Sequence, residues 1–175
     1  MKKFLFYFAA TGWTLGLIVH ILSLADYDVE DKVPFVWILH LGIFVVWLPT
    51  ILNLRKNEEF IAYRKSKMMN RMNPFGFLKI IFKQTPIWLR IIAIGGFLYA
   101  GINFMLFITS QHGTPGIQDG QYILHNHGYV IKTLTEQEYH HYKANIVRGF
   151  SGHWLVFYGL AAAVLYPFNK QKTDQ

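Results

Sequence analysis

The chain contains no cysteine, and this absence removes several kinds of chemistry at once. Without a thiol the protein can form no disulfide bond, no thiolate metal site and no cysteine nucleophile. Acidic residues are also scarce, with 10 Asp and Glu against 17 Lys and Arg. They are missing altogether from four long apolar runs, which cover residues 4–24, 34–54, 87–109 and 150–168. Acid-free apolar runs of this length are typical of segments surrounded by lipid.

Each run has about 20 residues, enough for a helix rising 1.5 Å per residue to cross a hydrocarbon layer about 30 Å thick. The sequence therefore predicts an all-α membrane protein with a single polytopic domain. Its four transmembrane helices would form a four-helix bundle, with a small extracytoplasmic β-hairpin and helix cap. Loop 55–86 would join the second and third spans, and loop 110–149 would join the third and fourth.

The net charge of +7 is placed unevenly along the chain. Lys and Arg accumulate on the cytoplasmic side of membrane proteins. The sequence therefore predicts a multi-pass protein of the cytoplasmic (inner) membrane, with cytoplasmic N- and C-termini, loop 55–86 inside and loop 110–149 outside. The basic residues on the predicted inner side are Lys2, Lys3, Arg55, Lys56, Arg64, Lys65, Lys67, Arg71, Lys79, Lys83, Arg90, Lys170 and Lys172.

The basic loop 55–86 is expected to face anionic lipid headgroups. No nucleic-acid recognition motif accompanies the charge, so nucleic acid is not an expected partner. Within this loop, residues 74–83 combine bulky apolar side chains with Lys79 and Lys83. This pattern predicts either an amphipathic segment in the inner interface or a plain extension of the third helix.

The first run has a second interpretation, as a cleaved signal peptide. Lys2 and Lys3 precede it, and Ser23-Leu24-Ala25 resembles a small-residue cleavage site. The run is longer than a usual signal core and carries Gly12 and Gly16 four residues apart, a spacing that lets helices approach closely. We therefore expect it to be retained. Small residues also occur in the third and fourth runs, which suits a compact bundle and a homo-oligomer equally well.

Loop 110–149 is predicted to fold into the outer cap. Residues 113–120 are rich in Gly and Pro and indicate turns. Two β-prone runs then flank Asn126-His127-Gly128, which predicts a β-hairpin. Thr135 and Glu138 match a capping box, so a helix is expected to begin at Glu136 and continue into the fourth run. This cap is the expected contact surface for a protein partner.

Eight histidines are the strongest chemical signal in the sequence. His20, His40 and His153 lie within apolar runs, and the predicted topology places all three at similar depth in the outer leaflet. Ionisable groups in a span are costly and mark candidate sites. The sequence leaves four interpretations open: independent hydrogen-bonding residues, a shared zinc or copper site, haem held by two axial histidines, or a pH switch.

The loop histidines form a second set of candidate metal ligands. His125 and His127 would share one face of a strand and form a chelate, unless His127 lies in the turn. His140 and His141 lie on the predicted helix, four residues after Glu136 and three after Glu138. Such pairs can bind a metal or form a solvated helix face.

No motif identifies an enzyme. The HExxH motif, the P-loop, the dinucleotide fingerprint and the nucleophile elbow are absent, and no acidic residue in a run could support Ser151 and His153. The absence of carboxylates from the runs also disfavours an ion-coupled carrier. The leading hypothesis is a non-enzymatic integral membrane protein acting through protein and lipid contacts, as sensor, immunity protein or accessory subunit. The alternatives are a histidine-ligated metal or haem protein and an oligomeric channel.

Overall fold

In the computed structural model of this protein, residues 1–68 and 73–168 are described. Arg71, Lys170, Lys172 and the predicted cytoplasmic C-terminus lie outside the described residues. The helices are α1 (Lys2–Leu24), α2 (Val29–Lys32), α3 (Ile38–Arg55), α4 (Glu58–Lys65), α5 (Pro74–Ile81), α6 (Ile87–Ser110) and α7 (Glu136–Leu165). The strands are β1 (Thr114–Gln118), β2 (Gln121–Asn126) and β3 (Tyr129–Thr133). The fold is therefore mostly helical with one small sheet.

Among the described residues, three helices are long and apolar enough to cross a membrane: α1, α3 and α6. The fourth predicted run, 150–168, is the second part of α7, which has 30 residues and begins with the polar stretch 136–148. The prediction that one helix continues from Glu136 into the fourth run is confirmed. Whether this apolar half of α7 forms a fourth span stays a prediction.

Helix α7 lies at the centre of the bundle and packs against α1, α6 and α3. Its buried residues include Trp154, Tyr158 and Ala161. Gly149 and Gly152 lie inside this continuous helix. They are required for close packing, because a Cβ at Gly149 would lie 2.6 Å from the Phe107 ring and one at Gly152 would lie 2.5 Å from the Asn103 amide nitrogen.

Some small residues of the other runs contact a neighbouring helix, and others face open space. Gly12 contacts the Tyr158 ring, so the predicted packing face of the first run is present within the bundle. In contrast, a Cβ added at Gly95, Gly96 or Gly101 of α6 would find no atom within 4 Å. These three glycines therefore lie on the outside of the described bundle, whereas Ala100 of the same helix is buried.

At one end of the bundle, which we call the cap end, the strands form an antiparallel sheet in the order β1-β2-β3. The predicted hairpin is confirmed, with His127 (φ 48°) and Gly128 (φ 86°) in a two-residue turn. The prediction of turns throughout 113–120 is wrong for β1, which pairs with β2 through Asp119-Gly120, a turn with positive φ at both residues. An edge strand tolerates the proline and glycine of β1 because one side of it needs no ladder partner.

The predicted capping box holds the start of α7. The Thr135 hydroxyl accepts a hydrogen bond from the Glu138 amide at 3.2 Å, and the Glu138 carboxylate accepts one from the Thr135 amide at 2.8 Å. Lys132 of β3 also pairs with Glu138 at 2.5 Å. The Lys132 ammonium, and then the Thr135 amide, lower the pKa of Glu138 to about 2. The sheet is thus fastened to the start of the central helix.

At the opposite end, which we call the basic end, the chain forms α4 and α5. Asn73 caps α5 by accepting a hydrogen bond from the Phe75 amide at 3.0 Å. Because α5 ends at Ile81 and α6 begins only at Ile87, residues 74–83 are not a plain extension of the third helix. The Phe77 ring of α5 packs against rings of α4, which keeps the two short helices together.

Candidate functional site

His20 lies in a buried polar network between α1, α6 and α7. Its Nδ1 is 2.8 Å from the Ser151 hydroxyl and its Nε2 is 2.5 Å from the Tyr99 hydroxyl. His20 is only 2% exposed and Ser151 is fully buried. Buried polar groups must be hydrogen-bonded, and here one imidazole satisfies hydroxyls from two neighbouring helices. The network therefore fixes the relative positions of the three helices.

The same network continues to the cap end through Arg148. The Ser151 hydroxyl donates to the Arg148 carbonyl at 3.2 Å, and the Asn103 amide donates to that carbonyl at 3.0 Å. The Arg148 Nη2 donates to the Ser110 hydroxyl at 3.3 Å, while its Nε is buried without a partner in the described part of the chain. This layer closes the cap end of the bundle with polar contacts.

A serine beside an imidazole can act as a nucleophile with the histidine as its general base, but the geometry of Ser151 and His20 does not favour that role. In a triad the second imidazole nitrogen is held by a carboxylate. In this protein the Tyr99 hydroxyl occupies that position beside His20. Since Ser151 is fully buried, it offers no surface to a substrate. The pair is best explained as a structural contact.

The other two histidines of the apolar runs have separate surroundings. The Trp154 indole donates a hydrogen bond to His40 Nδ1 at 3.1 Å. His153 donates from Nδ1 to the Gly149 carbonyl at 3.0 Å and packs against the Phe104 ring. His40 also lies only two residues after the start of α3, because the chain from Pro34 to Trp37 forms a turn rather than the first part of the helix.

The predicted shared site of His20, His40 and His153 is therefore not assembled as a three-residue group. Within residues 1–68 and 73–168, no group of three or more His, Asp and Glu side chains could hold a metal ion. Both nitrogens of His20 are already bound by hydroxyls, which leaves no lone pair facing an open position. A zinc or copper site that uses only two of these histidines, like two-histidine haem ligation, stays an untested alternative.

The loop histidines are also placed differently from the predicted chelates. His127 lies in the hairpin turn with a positive φ, so the strand alternation that would align it with His125 is lost. His125 packs beside Gly116 of the neighbouring strand. The sequence had left this outcome open, and the structure decides it against a chelate on one strand face.

His140 and His141 bind aspartates rather than the neighbouring glutamates. The Nδ1 atom of His140 is 2.8 Å from Asp28, and that of His141 is 2.8 Å from Asp26. Lys143 lies 3.6 Å from Glu30. Residues 26–31, which we call the acidic segment, are thereby fastened to the polar half of α7. Sequence reasoning missed these pairs because more than 100 residues separate the partners.

The cap also presents an apolar surface. All of β3 is exposed, with Tyr129 at 80%, Val130 at 50% and Ile131 at 52%. Its outer edge is unpaired, since β3 is the last strand of the sheet in the described chain. Exposed edges that lack proline can accept another strand. We call these three side chains and the free edge the β3 surface.

The sheet that carries the β3 surface packs against α7. Leu124 and Leu134 are buried beneath the sheet. The Tyr122 ring packs against the Tyr139 ring of α7 with 4.7 Å between centroids, and the Leu134 amide donates to the Tyr122 carbonyl at 2.8 Å. The sheet is thus held directly on the central helix.

Comparison of the chain with models of known protein families, with curated proteins and with solved structures found no match.

Proposed function

We propose that this protein is a small integral membrane protein that acts through contacts rather than catalysis. It would cross the membrane four times, with the apolar half of α7 as the fourth span and both termini in the cytoplasm. Support comes from the apolar helices α1, α3 and α6 and from the concentration of basic residues at the basic end. Loop 55–86 would contact anionic headgroups on the inner side.

In this proposal the cap faces away from the cytoplasm and binds a protein partner. The observation that carries it is the β3 surface, an exposed apolar strand mounted on the central helix. Apolar side chains on an exposed and well-supported surface are typical of interaction sites. A sensor, an immunity protein and an accessory subunit of a membrane complex are the classes that fit this arrangement.

Site-specific photo-crosslinking in intact cells tests the proposal. A photoreactive residue at Tyr129 should give one discrete adduct with another protein, whereas the same residue at Gln118, exposed on the opposite edge strand, should give none. Replacing Ile131 with Ser should weaken the adduct without lowering the thermal stability, because Ile131 is half exposed. Equal labelling at both positions, or none at either, would contradict the proposal.

The histidine-ligated metal or haem protein remains the alternative. The contacts of His20, His40 and His153 do not favour it, since each ring has its own hydrogen-bond partner. An absorption spectrum and elemental analysis of the detergent-purified protein decide the matter. A stoichiometric metal or a haem absorption band would replace the contact proposal with this alternative.

A further inference from the structure

A cavity of about 650 Å³ opens at the basic end, where α1, α3 and α7 meet residues 80–85. Its volume lies in the range of roughly 300–1,000 Å³ that small-molecule sites occupy. The side chains that surround it include Lys2, Leu54, Glu58, Glu59, Ile80 and Lys83. The residues of α7 at its floor are Ala163, Val164 and Leu165.

The wall of this cavity is part of the packed core. Thr85 is buried, and its hydroxyl donates a hydrogen bond to the Ala163 carbonyl at 2.7 Å. The Thr85 carbonyl in turn accepts one from the Arg90 Nε at 2.7 Å. Ile81 and Phe82 are buried beside it. The turn between α5 and α6 is thereby fixed against the end of α7, so the cavity has a preformed shape.

Charges of both signs line the cavity. Glu58 and Glu59 come from the first turn of α4, while Lys2 and Lys83 come from α1 and the turn after α5. Glu59 and Lys83 form an ion pair. The last carbonyl groups of a helix carry partial negative charge, and the final turn of α7 ends at this cavity. A ligand that matches these charges has both an ammonium and an anionic group.

We propose that this cavity binds the headgroup of a zwitterionic phospholipid carrying a primary amine, taken from the inner leaflet. The inference rests on the proposed function, which places the basic end at the cytoplasmic face of the membrane. The ammonium group lies toward Glu58 and the carbonyl end of α7. The phosphate lies toward Lys2. Each of these contacts is charge-assisted, the stronger kind of hydrogen bond.

The apolar lining identifies the ligand as a lipid rather than a soluble zwitterion. Leu54, Ile80 and Val164 lie among the polar groups and can cover the first carbons beyond a headgroup. Helix α5 next to the cavity exposes Phe75 at 77%, as expected of a helix at the lipid interface. A purely anionic headgroup fits less well, because it could pair with Lys2 but would leave Glu58 and the negative end of α7 without a cation, since Lys83 is already paired with Glu59.

Native mass spectrometry of the detergent-purified full chain tests this assignment. Equal amounts of phosphatidylethanolamine and phosphatidylglycerol are offered, and the bound lipids are counted. We expect one phosphatidylethanolamine to bind preferentially. Glu58→Gln should weaken that binding about tenfold, which corresponds to about 1.4 kcal/mol. Glu136→Gln is the matched control, because Glu136 is likewise the first residue of a helix but lies at the cap end.

A second pair of variants makes the result independent of Glu58. Lys2→Gln should weaken phosphatidylethanolamine binding, whereas Lys3→Gln should not, since Lys2 lines the cavity and Lys3 is not among its lining residues. Equal effects within either pair, or preferential binding of phosphatidylglycerol, would overturn the assignment. If soluble phosphoethanolamine bound equally tightly, the acyl part of the lipid would contribute nothing, and the proposal that the ligand is a lipid would be refuted. A chain that stays soluble without detergent would instead remove the proposed function itself.

Discussion

Gly152 provides a sharp test of the packing between α6 and α7. In Gly152→Ala the new Cβ would lie 2.5 Å from the Asn103 amide nitrogen, a distance that forces the amide to move. Asn103 is 2% exposed and donates to the Arg148 carbonyl at 3.0 Å. The substitution therefore strains the interface and breaks a buried hydrogen bond.

The expected size of this effect follows from three contributions. Overpacking a tight site costs about 1–3 kcal/mol, and leaving the buried Asn103 amide unsatisfied costs about 1–3 kcal/mol. The higher helix propensity of alanine relative to glycine offsets up to about 1 kcal/mol of this cost. We expect the free energy of unfolding to fall by roughly 1–5 kcal/mol. Reversible denaturant unfolding of the protein in detergent micelles measures this change.

Gly95→Ala is the matched control, because no atom lies within 4 Å of a Cβ at Gly95. Its unfolding free energy should stay at or slightly above that of the parent protein. The double variant Asn103→Ala/Gly152→Ala should recover part of the loss, since removing the amide makes room for the methyl group. If Gly152→Ala is as stable as Gly95→Ala, the packing described between α6 and α7 is refuted.

Three further predictions concern the polar contacts. Ser151→Ala should lower the free energy of unfolding by roughly 1–3 kcal/mol, because His20 Nδ1 loses its buried partner; Thr109→Ala, an exposed hydroxyl bonded only within its own helix, is the control. The pKa of Glu138 is lowered to about 2, so its stabilising effect is present above its ordinary value of 4.5 and is lost as the pH falls toward 2. Glu138→Gln should remove this part of the acid unfolding curve followed by circular dichroism, and an unchanged curve would contradict it. Asp28→Asn should speed hydrogen exchange in residues 26–33, since Asp28 binds His140 and caps α2; exchange rates equal to those of the parent would show that the pair does not hold the acidic segment.

Much of the cap was predictable because its signals are local in the chain. Asn126-His127-Gly128 requires a positive φ in a tight turn, and Thr135 and Glu138 satisfy each other within one helical turn. Strand β1 was not predictable in this way, since its proline and glycine match a loop and only pairing with β2 makes it a strand. The end-points of α1 and α6 follow the apolar runs closely for the same local reason.

The candidate sites were harder to predict because they depend on contacts between distant residues. The contact of His20 with Ser151 spans 131 positions, and that of His140 with Asp28 spans 112. Similar depth in the membrane suggested that His20, His40 and His153 would meet, but depth says nothing about the direction in which a helix points each ring. In the structure each ring instead contacts a separate partner: Ser151 for His20, Trp154 for His40 and the Gly149 carbonyl for His153.

The unbroken course of α7 has a mechanical consequence. At 1.5 Å per residue its 30 residues form a helix about 45 Å long. One end carries the sheet and contacts the acidic segment through the aspartate–histidine pairs, and the other end lines the cavity at the basic end. A displacement of the sheet is therefore expected to move the whole of α7, including its last residues at the opposite end of the molecule.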